Sequence, residues 1–150
     1  MRTFAIILVA AVITQPALAD DWVPPVTDPT VQKECGSCHM AFAPAFLPAR
    51  SWAVMMDHLS NHFGEQLVIP AEKAQTIRVY LSRNAGDTSG HGKLMRGIAA
   101  DAAPQQITAT PAFLRKHRFP DKVWADPKIV TKSNCAACHR DAERGNFDDD

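Results

Sequence analysis

All four cysteines of this 150-residue chain lie in two copies of one five-residue pattern, Cys35-Gly36-Ser37-Cys38-His39 and Cys135-Ala136-Ala137-Cys138-His139. Whatever the chain folds into must present two thiols and an imidazole together, twice. Cysteines of exported proteins usually pair, so two small disulfide loops are one use of them. Four thiolates gathered around zinc are another, common for paired CxxC in reducing compartments. Neither use needs the histidines. With six His in 150 residues, one follows a given CxxC by chance about 4% of the time, and follows both about 0.2% of the time. Covalent attachment of two haems needs both histidines. Two thiols separated by two residues form thioethers with the vinyl groups at the porphyrin edge, and the next residue turns its imidazole to the iron. The intervening residues stay small because the ring passes over them, as Gly36-Ser37 and Ala136-Ala137 do. Cys35, Cys38 and His39 are therefore expected to hold one haem c, and Cys135, Cys138 and His139 a second.

The start of the chain suits covalent haem addition, which belongs to the exported side of the membrane. Met1-Arg2 precedes an apolar run from Phe4 to Ile13, and Ala17-Leu18-Ala19 comes before Asp20 and Asp21. This reads as a secretory signal peptide over residues 1–19, too short to be a membrane span. Without Arg2 the 16 Lys+Arg become 15, against 16 Asp+Glu. That balance carries no excess suited to nucleic acid.

The sixth ligand decides what each iron does, because a filled position favours electron transfer and an open one binds small molecules. His58, His62, His91 and His117 are the remaining histidines; Met40, Met55, Met56 and Met95 are the methionines of the exported chain. In ARSWAVMMDHLSNHFGE, Trp52, Met55, Met56, Leu59 and Phe63 recur at helical spacing. On that wheel His62 lies nearer the apolar stripe than His58, which makes it the preferred ligand of the first haem, with His58 the alternative. The two methionines read as core filler, with thioether ligation the other option. His91 sits between glycines in a stretch that holds geometry poorly. His117 follows Phe113 by four residues on a short helix opening at Pro111, and is assigned to the second haem. A surface charge among Arg115, Lys116 and Arg118 is the alternative for it. Trp52, Phe113 and Trp124 are candidates to line the rings, or else plain core.

Helices are expected near 31–40, 49–63, 71–83, 111–118 and 134–142, and no stretch alternates as a strand does. Residues 87–104 are rich in Gly, Ala, Asp and Ser without periodicity and read as a flexible linker. The expectation is an all-α chain of two small haem-binding modules, 20–86 and 105–150. The second is too short to bury an adequate core, so its haem must serve as one. A dihaem peroxidase-like enzyme and a gas-binding sensor with one open iron are the competing classes. The chain leaves little room for the pocket and acid–base groups that the enzyme needs.

Together, CGSCH, HLSNHFGE, ITATPAFLRKHR and NCAACHRDAERGNF resemble the periplasmic dihaem cytochrome c family, and the resemblance runs over nearly all of the exported chain. It implies a first module like a class I cytochrome c with histidine in place of the usual methionine, and a second module particular to the family. It further implies two low-spin, low-potential bis-histidine haems in an electron-donating role; the chain is expected to be a monomeric electron carrier rather than an enzyme. The implied acceptor is a small oxygen-binding monohaem cytochrome c, and a membrane b-type cytochrome is the implied donor. The histidines matching the family pattern are His62 in NHFG and His117 in KHR.

Overall fold

The computed structural model describes residues 22–148, so the expected signal peptide lies outside the described residues. Five α-helices and five short 3-10 turns make up the regular structure. Strand pairing among the described residues is limited to two isolated bridges, Trp22 with Asn146 and His62 with Glu65. Among the described residues no helix is long and apolar enough to cross a membrane.

Helix α1 (Pro29–Cys35) starts where Asp28 accepts hydrogen bonds from the Thr30 and Val31 amides at 2.8 and 3.0 Å, with Pro29 preset for a first turn. Helices α2 (Ala49–Asp57) and α3 (Ala71–Arg83) follow Pro48 and Pro70. Ile77 and Leu81, one turn apart on α3, meet Trp52 and Met56 of α2 and Val31 of α1. Met55 packs against the same cluster. The Trp52 indole donates to the Pro44 carbonyl at 2.7 Å, so Trp52 belongs to this core. Arg78 joins α3 to the Asp57 carboxylate and the Ala53 carbonyl of α2, and Lys73 reaches Glu34 of α1 at 2.8 Å.

Beyond residue 104 the buried apolar side chains are Ile129 and Ala142. Helix α4 (Pro111–Lys116) is capped by Thr110, whose hydroxyl accepts from the Phe113 amide at 3.3 Å. Helix α5 (Asp121–Trp124) spans four residues and was not expected. A single turn offers no periodicity to read.

Several expected helices end early or give way to 3-10 turns. The expected 31–40 helix stops at Cys35, where Gly36 lies against the preceding turn: a Cβ there would stand 2.3 Å from the Gln32 carbonyl oxygen. The expected 49–63 helix stops at Asp57 because the His58 ring turns back to donate to the Val54 carbonyl at 2.8 Å, and a 3-10 turn takes over at Leu59–Asn61. The expected 134–142 helix is two 3-10 turns, Cys135–Ala137 and Ala142–Arg144.

Residues 87–104 form turns, without helix or strand. They are not left free of the helices. The Arg50 guanidinium donates to the carbonyls of Ala102 and Ala99 at 2.5 and 2.8 Å and pairs with Asp87 at 3.4 Å. Asp87 in turn accepts the Ala49 amide at the start of α2. Replacing Arg50 by alanine is expected to speed limited proteolysis within 87–104 and to lower stability by about 1–3 kcal/mol, read by chemical denaturation. An unchanged cleavage pattern would show that the segment is held by other means.

Candidate functional site

The two CxxCH segments follow different backbone paths. Cys35 is the last residue of α1, and residues 36–39 bend away from it. The second motif winds into a turn, with the amides of Cys138 and His139 both donating to the Cys135 carbonyl at 3.2 and 2.9 Å. Neither motif sits on the first turn of an α-helix. The cysteines form no disulfide with one another, and no three His, Cys, Asp or Glu side chains converge on a metal-sized site among the described residues. Burial, then the Glu34 charge, pushes the Cys35 thiol up to about 11, and burial raises Cys135 as well.

Each motif histidine faces a second imidazole. His39 and His62 have ring centroids 6.3 Å apart and planes 24° apart. His117 and His139 stand 6.1 Å apart with planes at 82°. Two imidazoles bound on opposite sides of one metal, each nitrogen about 2 Å from it, place their centroids about 6 Å apart. Both pairs fit that requirement, and each stands beside a CxxC. The donor set therefore suits a covalently attached haem at each position.

The ring nitrogens are sorted by hydrogen bonding. Nδ1 of His39 meets the Met40 carbonyl at 2.7 Å, Nδ1 of His117 the Phe113 carbonyl at 3.0 Å, and Nδ1 of His139 the Asp148 carbonyl at 3.2 Å. A carbonyl only accepts, so it draws the proton to Nδ1 and leaves Nε2 with a lone pair for a metal. Burial, then the His39 charge, lowers the pKa of His62, which favours the neutral form that can ligate.

His62 is not on a helix. It opens a tight turn in which Phe63 and Gly64 both take positive φ, 53° and 97°, and its amide and carbonyl pair with those of Glu65 at 2.8 and 3.0 Å. The closed turn sets the imidazole opposite His39, a placement that helical spacing does not describe. His58 is exposed with its Nδ1 on Val54, and His91 is bonded to neighbouring Ser89.

His117 caps α4 and lies face to face with Phe113, centroids 3.9 Å apart and planes 7° apart. Trp124, delivered by α5, stands 6.2 Å from both rings, and Phe119 meets His117 edge-on at 5.9 Å. Phe42 stacks on His39 at 4.9 Å. Phe42, Phe119 and Phe147 were missed in the sequence. The one available signal was an aromatic residue two to eight positions after a ligating histidine, which is too common to single out.

The family model for dihaem cytochrome c matches residues 31–147. The solved structure of a diheme cytochrome c from Rhodobacter sphaeroides is 44% identical, with a TM-score of 0.77 over 83% of this chain and 100% of that one. The X-ray structure of a diheme cytochrome c from Shewanella baltica is 34% identical, with a TM-score of 0.67 over 80% of this chain and 86% of that one. No curated protein matches the chain closely enough to count as a relative. Sequence and fold agree: the chain belongs to the dihaem cytochrome c family, whose two haem c groups are bound covalently.

Proposed function

We propose that the protein is a low-potential electron carrier in which His39 with His62, and His117 with His139, are the axial pairs of two bis-histidine haems. The observation that carries this reading is the facing of each motif histidine by a second ring at 6.3 and 6.1 Å. Cys35 and Cys38 would tether the first haem, Cys135 and Cys138 the second. When bound, each haem supplies one-electron chemistry at iron. The chain would supply two imidazoles to each haem, holds those of His39, His117 and His139 in one tautomer through backbone carbonyls, and places aromatic rings beside them. Two imidazoles stabilise the ferric state more than imidazole with thioether does, so low potentials are expected.

The remaining readings extend this one. The helical packing of α1, α2 and α3 around one core supports a class I cytochrome c-like first module, with 105–150 as the second and 87–104 connecting them. The residues from Met1 to Asp20 support export to the periplasm. A monomeric carrier there would take electrons from a membrane b-type cytochrome and pass them to a small oxygen-binding monohaem cytochrome c. Both partners rest on the family resemblance.

The test is spectroscopic. Carbon monoxide added to the reduced holoprotein and cyanide added to the oxidised form are expected to leave the visible spectrum unchanged. A redox titration is expected to resolve two low-potential steps. Rapid ligand binding at either haem, or magnetic resonance showing sulfur ligation, would sink the reading.

A further inference from the structure

The C-terminal segment closes back onto the N-terminal part of the chain while holding His139. The Val23 amide donates to the Gly145 carbonyl at 2.8 Å, and Trp22 bridges Asn146. Gly145 has φ of 87°, and a Cβ there would fall 2.0 Å from the Val23 carbonyl oxygen, so the two backbones approach as closely as glycine allows. Two residues on, Phe147 meets Phe46 edge-on at 5.0 Å and joins the cluster of Val23, Ala43 and Ala45. The same ring also meets His139, with centroids 5.7 Å apart and planes at 64°. Asp148, fixed by its own amide to the Asn146 side chain at 3.0 Å, offers its carbonyl to Nδ1 of His139 at 3.2 Å.

From this arrangement we infer that Phe147 is a positioning residue for the second haem's axial histidine, seated by the first module through Phe46 and the Val23–Gly145 pairing. The inference rests on reading His139 as an iron ligand. The orientation of that imidazole is then set from outside its own module. Disturbing Phe46, which belongs to the first module, alters the second haem. Groups that orient a ligating histidine commonly change metal affinity by about 10–100-fold when removed.

The holoprotein provides the test. The low-spin resonance signals of the oxidised protein are assigned by their loss in His62→Ala and His117→Ala. Phe147→Ala and Phe46→Ala are each expected to shift the largest g-value of the signal lost in His117→Ala and to raise carbon monoxide binding at that haem by about tenfold. The signal lost in His62→Ala stays in place, and Phe147→Tyr restores the wild-type spectrum. Phe147→Leu carries the same test with a smaller cavity. An unmoved second-haem signal in both Phe147→Ala and Phe147→Leu overturns the inference, as does an equal shift of both signals. A wild-type second haem that is high-spin or sulfur-ligated removes the axial assignment itself, and the inference with it.

Discussion

Replacing Cys138 by serine is expected to abolish accumulation of folded protein rather than merely to delete one thioether. Ile129 and Ala142 are the buried apolar side chains of residues 105–148, while Leu114, Phe119 and Val130 are 55%, 46% and 80% exposed. A segment with so little core cannot offset its own chain entropy. Attachment of the prosthetic group is what folds it, on a scale of about 10 kcal/mol by analogy with small structural metal domains. That is comparable with the whole stability of a typical domain, about 5–15 kcal/mol. The loss also spreads, because Phe147 packs against Phe46 and Gly145 pairs with Val23. Haem staining and limited proteolysis of the exported fraction are expected to find less than about a tenth of the wild-type amount. Recovery of a compact, protease-resistant chain without the second haem would defeat the argument.

Legibility in the sequence followed the range of the interactions. The CxxCH motifs were readable because tethering and ligation draw on five consecutive residues. The cores of α2 and α3 were readable because Trp52 with Met56, and Ile77 with Leu81, repeat at one-turn spacing. The helix ends were not. His58 ends α2 with a side-chain bond to Val54, and Phe63 adopts a left-handed φ that an aromatic residue rarely takes. Those two choices decide where His62 points, and neither leaves a periodic trace. Wheel geometry favoured His62, but a turn rather than a helix sets it opposite His39. The contact of Val23 with Gly145 lies further still from local pattern, since it joins the two ends of the described chain.

Sequence composition also suggested a free connector between two modules. Arg50, near the start of α2, donates to two carbonyls of that segment. A Gly- and Ala-rich stretch has few side chains of its own to pack, so its anchoring comes from a partner far off in sequence. Such anchoring is invisible to any window centred on the segment.

Removing the His62 imidazole is expected to convert a chain inert to carbon monoxide into one in which about half of the haem binds it. The reason is geometric. His62 is the ring that faces His39, at 6.3 Å, whereas the His58 side chain is exposed at the end of α2 and His91 lies in the turns of residues 87–104. His117→Ala is expected to open the other half, because His117 is the ring that faces His139. His58→Ala and His91→Ala are expected to leave both irons closed. The readout is the carbon monoxide difference spectrum of the reduced holoprotein, quantified per haem. Met56 is buried in the core with Ile77 and Leu81, so its thioether could replace the lost imidazole only by repacking α2 against α3. Imidazole added to the His62→Ala protein is expected to close the site again, since it restores the missing ligand without altering the core. Carbon monoxide binding in His58→Ala but not in His62→Ala would move the first axial position to His58.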